Sequence, residues 1–98
     1  MRIEVSSFVE SDLDAIADYI AQDNPRRALS FIREIRALIL ELGNRPLRFR
    51  LQTELEEDVR LAWVGRYGIL FRIHNDVVRV ERVVYLARDL LPLFQQDE

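Results

Sequence analysis

Between Arg60 and Asp89 the chain alternates apolar and polar positions with a period of two, interrupted twice. Leu61 and Trp63 form one in-phase set, Tyr67, Ile69, Phe71 and Ile73 the next, and Val78, Val80, Val84 and Leu86 the last. Each interruption has a local cause. Gly65 opens left-handed turn geometry, and Asn75-Asp76 tolerates it through side chains that bond their own backbone. The pattern predicts three antiparallel strands joined by tight hairpins, a meander.

Upstream the period changes. Arg2 to Phe8 sets Ile3 and Val5 against Arg2 and Glu4, a short strand whose partner lies far along the chain. Ser11, followed by Asp12 and Asp14, predicts a helix start, with acids facing the positive end of the helix dipole. Leu13, Ile16, Ala17 and Ile20 then share one helical face. Asn24-Pro25 ends that helix and opens a second, since proline restricts the residue before it but suits a first helical position.

From Pro25 to Leu42 a row of Ala28, Ile32, Ile35, Ile39 and Leu42 is widened by Leu29, Phe31 and Leu38, wide enough to meet both the first helix and a sheet. Gly43-Asn44 and Pro46 stop the helix. Residues 45–58 keep no period, so a long loop or a poorly paired edge is expected there. Arg88 to Phe94 gathers Leu90, Leu91, Leu93 and Phe94 around Pro92 as a short helical turn or an apolar clasp.

These elements predict an α+β fold with residues 1–98 as a single domain. Arg2 to Phe8 joins the meander as a fourth strand, because a lone strand leaves its backbone unpaired, and both helices cover one face. The opposite face, carrying Leu70, Arg72 and Arg82, is expected to stay at least half exposed.

Composition narrows the function. The chain has no cysteine, which removes disulfides, thiolate metal sites and a thiol nucleophile and fits a reducing cytoplasm. The first residues lack the apolar block of a signal peptide, and no stretch is apolar for long enough to span a bilayer, so a cytoplasmic protein without membrane contact is expected. All 14 basic residues are arginine, against 17 acids, for a net charge of -3. Such a balance is poor for gripping many phosphates, so nucleic acid is a ligand only through a local patch.

The candidate chemistry is sparse. Arginine stabilises a phosphate but is a poor proton shuttle, and there is no lysine. His74 is the one imidazole, and beside Asn75-Asp76 it reads better as a solvated turn residue than as a general base. Tyr67 and Tyr85 read as half-buried packing residues with wet hydroxyls. The acidic run Glu54, Glu56, Glu57 and Asp58 reads as a solvated loop balancing nearby arginines, and neither a metal nor a cofactor is expected. Trp63, in phase with Leu61, is expected in the core.

Four pieces, SDLDAIADYIAQDNPRRA, ELGNRP, VGRYGILFRI and VVRVERVVYLARDLLPLF, come in an order and spacing that resembles the RelE/ParE superfamily of type II toxins, the ParE branch most. The resemblance implies a toxin that inhibits DNA gyrase or a related topoisomerase by binding, serves functions such as plasmid stabilisation, and is neutralised in a hetero-oligomer by the wrapping C-terminal segment of a cognate antitoxin. The residues themselves offer Arg60, Arg66, Arg72, Arg79, Arg82 and Arg88, with Leu91 and Phe94 of the C-terminal segment, as the expected target or antitoxin contacts, about half of the arginines being expected to serve structural ion pairs instead. RelE-like relatives cut messenger RNA on the ribosome and place an arginine after the tyrosine that opens the middle strand. Here Gly68 follows Tyr67, and Leu86 and Leu91 stand at the later basic and tyrosine positions. Messenger RNA cleavage is the second function the resemblance allows, and a non-toxic relative that only binds an antitoxin is the third.

Overall fold

The meander forms where the alternation puts it. The computed structural model describes residues 1–53 and 56–85. Its elements are β1 (Arg2–Val5), α1 (Ser7–Ala21), α2 (Pro25–Leu42), a 3-10 turn at Pro46–Arg48, β2 (Arg60–Val64), β3 (Tyr67–His74) and β4 (Val77–Tyr85). The four strands lie in the order β1-β4-β3-β2, with β1 parallel to β4 and the other pairs antiparallel. The fold is α+β, with the N-terminal strand completing the sheet. The short segment at Arg88 to Phe94 lies outside the described residues.

Turn chemistry explains both hairpins. Gly65 takes φ 58° at the first central position of the β2–β3 turn, as type II′ geometry needs. Asn75 and Asp76 take φ 50° and 61°, the paired left-handed residues of type I′.

One face of the sheet packs against the helices. Val9, Leu13 and Ile16 of α1 and Phe31, Ile35, Ile39 and Leu42 of α2 bury themselves on Ala62, Ile69, Phe71, Val78, Val80 and Val83. Asn24 caps α2 by accepting the Arg27 amide at 3.1 Å, with Pro25 in the first turn. Leu29 departs from its expected place and stands exposed, because the buried row runs through Ala28, Phe31 and Ile35.

The first helix begins a turn earlier than Ser11. Val9 lies four residues before Leu13 and belongs to the same buried stripe, and Ser6 is the capping residue. The strand accordingly stops at Val5. Ser6 then holds the chain against β4, its amide donating to Val80 O at 2.9 Å and its hydroxyl to Glu81 O at 2.6 Å.

The phase of β4 is broken by a bulge. Leu70 pairs with Arg82 and Phe71 with Val80, so Glu81 has no partner across the ladder. The inward set therefore runs Val78, Val80, Val83, and Val84 turns to the other face. There Val59, Leu61, Leu70 and Val84 form a second buried cluster, so part of the outer face is covered, while Trp63 and Arg79 on the same face stay exposed.

Trp63 corrects the expectation of a core residue. It does share a face with Leu61, but Leu61 pairs across to Leu70 while Trp63 pairs with Gly68, which offers no side chain. The indole is 58% exposed.

The stretch before β2 is a loop with partial pairing. Leu51 bridges Arg60, the Gln52 amide donates to Val59 O at 2.8 Å, and Phe49 meets Phe71 edge-on at 5.9 Å.

Candidate functional site

Because Asn24-Pro25 reverses the chain, the start of α2 lies beside the end of α1, and both meet the end of the sheet that carries the β2–β3 turn. An open cleft of about 1080 Å³ lies there. Asp12, Tyr19 and Ile20 of α1, Arg27 and Phe31 of α2, and Arg66, Tyr67, Arg82 and Tyr85 of the sheet line it. The aromatic rings form a chain across it: Phe31 to Tyr67 at 5.5 Å, Tyr67 to Tyr85 at 5.4 Å. Arg27 covers the free side of Phe31, its guanidinium carbon 5.0 Å from the ring centroid.

Charge is arranged asymmetrically along the walls. Asp12 accepts Arg82 Nε and a terminal Arg82 nitrogen at 2.8 Å each, and its Oδ2 also accepts the Val83 amide at 3.0 Å. This hydrogen bonding holds the Arg82 guanidinium above its ordinary pKa, against the pull of burial. Phe8 stacks on the same guanidinium at 5.5 Å. Arg27 pairs with Glu34 on the solvent side. Arg66, fully exposed on its turn, is bonded to Tyr85, a phenol rather than a carboxylate, and that bond raises its pKa.

The remaining arginines lie apart from the cleft. Arg60 donates to Phe49 O at 2.5 Å and ties the loop to β2. Arg72 gathers Glu56 and Asp58 from the loop and Glu81 from the bulge, the last at 3.5 Å. Arg79 stands opposite Arg72 and reaches the same Glu81 at 3.6 Å. Arg88, Leu91 and Phe94 lie outside the described residues.

Of the arginines singled out from the sequence, Arg66 and Arg82 thus share one site, and Arg27, Tyr19 and Asp12 join them. Those three were legible only through the helical reversal at Asn24-Pro25, which sets Arg27 and Phe31 level with Tyr19. His74 ends β3 at the opposite hairpin and is exposed. It stands seven strand steps from Tyr67, roughly 23 Å. Among the described residues no group of His, Asp or Glu side chains is placed to hold a metal ion, and no helix is long and apolar enough to cross a membrane.

A strand, a helical hairpin and a meander, with an arginine-edged aromatic cleft at one end, make up a small α+β fold. The family model of the ParE toxin of the type II toxin-antitoxin system, parDE, matches residues 3–90, and the chain belongs to that family. It is similar in fold to a solved chain described as the chromosomal ParDE TA system from P. aeruginosa, at 20% identity and a TM-score of 0.76, over 88% of this chain and 96% of that one. No curated protein matches in sequence.

Proposed function

We propose that this ParE-family toxin inhibits DNA gyrase, or a related topoisomerase, by binding, and that a cognate antitoxin neutralises it in a cytoplasmic hetero-oligomer. The observation that carries the reading is the cleft between α1, α2 and the end of the sheet. Its floor of Ile16, Ile20 and Phe31 suits the apolar face of an amphipathic helix, and Arg27 and Arg66 at the rim suit that helix's acids. Binding also suits the residue chemistry. The cleft offers guanidinium groups and phenols, which hold a partner well, while the one imidazole lies at the far hairpin.

The test is a supercoiled-plasmid assay with purified gyrase and the purified chain. Accumulation of cleaved DNA, relieved by co-purified antitoxin, is the expected result. Substituting His74→Ala and Tyr85→Phe together should leave that accumulation intact. Primer extension on translated messages is the counter-test: position-specific cuts within codons, lost in the double variant, would overturn inhibition by binding in favour of RNA cleavage.

A further inference from the structure

The sheet leaves one strand open. β1 is outermost in the order β1-β4-β3-β2, and β4 takes only one of its edges. The Ser6 amide donates to Val80 O, so Arg2 and Glu4, in phase with Ser6, turn their backbone groups to β4 as well. Ile3 and Val5 turn theirs to the open side. At the other edge of the sheet Leu51 bridges Arg60 of β2, whereas among the described residues no strand or bridge covers β1. The strand is also fixed in place, because the Met1 ammonium donates to Gly43 O at 2.6 Å at one end and Ser6 is bonded to β4 at the other.

Its sequence is complementary to itself. Met1 to Val5, MRIEV, run antiparallel against a second copy about Ile3, sets Arg2 opposite Glu4, Met1 opposite Val5 and Ile3 opposite Ile3. Met1 and Val5 are apolar and 47% and 46% exposed. Arg2 and Glu4 pair within one copy at 3.6 Å, with both side chains more than half exposed, so each is free to meet an opposite charge across the edge.

We propose that two copies of this chain pair through β1, antiparallel about a two-fold axis at Ile3, and join their sheets into one of eight strands. The two Ile3 residues exchange both backbone hydrogen bonds, using groups already aimed at the open side. Arg2 and Glu4 then fall at the neighbouring non-bonded positions, where facing side chains come closest. Charge selects this register. A two-fold at Arg2 would set arginine against arginine, and one at Glu4 glutamate against glutamate, while a one-residue slip would face Ile3 with Glu4, whose backbone groups are already turned to β4. An edge this short makes a small interface, so the dimer is weak, with a Kd on the order of 10–100 µM. Each copy keeps its cleft, since β1 covers β4 only from Val77 to Val80 and the cleft lining on that strand begins at Arg82. The pairing therefore stands or falls independently of what the cleft binds.

Sedimentation equilibrium of the purified chain, from about 1 µM to about 1 mM, tests it. The mass should rise with concentration from 11.6 kDa towards twice that. Arg2→Glu and Glu4→Arg each set like charges opposite at two places, and each should weaken the dimer at least about tenfold. Mixed in equal amounts, the two variants restore opposite charges at both places and should associate about as tightly as the parent. Both side chains are exposed, so the variants keep the fold, and a thermal melt checks that. Amide exchange on the parent reads the same contact without a substitution: raising the concentration should slow Ile3 more than Ser6, which already bonds Val80 O. A chain that stays monomeric to about 1 mM, a dimer indifferent to either charge reversal, a mixture that associates no better than each variant alone, or an Ile3 amide that ignores concentration would each overturn the pairing.

Discussion

Asp12 and Arg82 are 70 residues apart and meet through two parallel hydrogen bonds of 2.8 Å, while the same carboxylate takes the Val83 amide. This contact continues what β1 begins. β1 covers β4 from Val77 to Val80, Ser6 covers the next carbonyls, and Asp12 satisfies the edge beyond the bulge. The carboxylate side chain is only 12% exposed, so solvent replaces its partners poorly. Asp12→Ala should cost about 2 kcal/mol, more than a surface ion pair and less than a fully buried one. Asp12→Asn, which keeps an acceptor but loses the charge, should cost about half as much. Urea unfolding of the two variants measures the difference, and a cost for Ala below that of Asn would contradict the edge-capping role.

Trp63 and Phe71 predict opposite responses to truncation. Phe71 is fully buried between the helices and the sheet, so Phe71→Ala should cost about 3–5 kcal/mol. Trp63 stands 58% exposed, and Trp63→Ala should cost under about 1 kcal/mol despite removing the larger ring. The chain has 1 tryptophan, so its native fluorescence reports this position alone. Emission at the water-exposed, long-wavelength end, moving little on unfolding in urea, is expected; a blue-shifted native band would contradict the exposure.

Trp63 also marks how far the sequence carries. The period of two located β2, β3 and the start of β4, and the turn residues fixed both hairpins, because these are properties of neighbouring residues. Burial on a strand depends on what lies across it. Gly68 opposite Trp63 and Leu70 opposite Leu61 decide their fates, and that pairing is invisible before the register is known. The bulge was missed, because the alternation was carried from Val80 on to Val84 past Glu81-Arg82, two charged residues side by side that are the one local sign of it. The cleft was no easier to read. It depends on the reversal at Asn24-Pro25 and on β1 choosing β4, and neither Tyr19 nor Arg27 carries a local sign of either event.

Gly43 sets two effects against each other. Its φ of -67° is ordinary helical backbone, and helix propensity alone would make Gly43→Ala stabilising by up to about 1 kcal/mol. A Cβ there would lie 2.8 Å from the Met1 carbonyl oxygen and 3.0 Å from Ile3 Cδ1. Backbone does not yield as a flexible side chain does, so the end of α2 and β1 must separate. A net destabilisation of about 1–2 kcal/mol is expected, with amide exchange accelerated at Ser6, whose amide is bonded to Val80 O of β4. A raised melting temperature would show that propensity wins.

Glu10 and Arg36 join α1 to α2 through two 3.0 Å hydrogen bonds. The hydrogen bond from Arg36, then its charge, holds the Glu10 carboxyl below its ordinary 4.5. Folding thus favours the ionised form. The contribution is fully present above that ordinary value and is lost as pH falls through the lower folded one. Both side chains are more than half exposed, so solvent screening leaves about 0.5 kcal/mol. A double-mutant cycle with Glu10→Gln and Arg36→Gln should show that coupling at neutral pH and a progressively smaller one as acid protonates Glu10. Equal coupling at neutral and acid pH would mean the contact does not depend on charge.

Arg72 is the strongest test of whether an arginine on the sheet is structural. Its guanidinium holds Glu56, Asp58 and Glu81 together, joining the loop before β2 to the bulge of β4. Burial pulls its pKa down, but the hydrogen bond it donates to Glu56 and the three negative charges outweigh that, and the net effect is upward. Arg72→Met keeps the aliphatic stem over the outer face and removes the charge that joins the three carboxylates, while Arg79 still reaches Glu81. The loop should then detach while the core stays folded. The expected result is faster amide exchange at Gln52 and Val59, whose backbone bond ties the loop to β2, with exchange at Ile69 and Phe71 unchanged. Because Arg72 lies away from the cleft, the variant should retain antitoxin binding; loss of binding without loss of core protection would move the partner surface to the outer face.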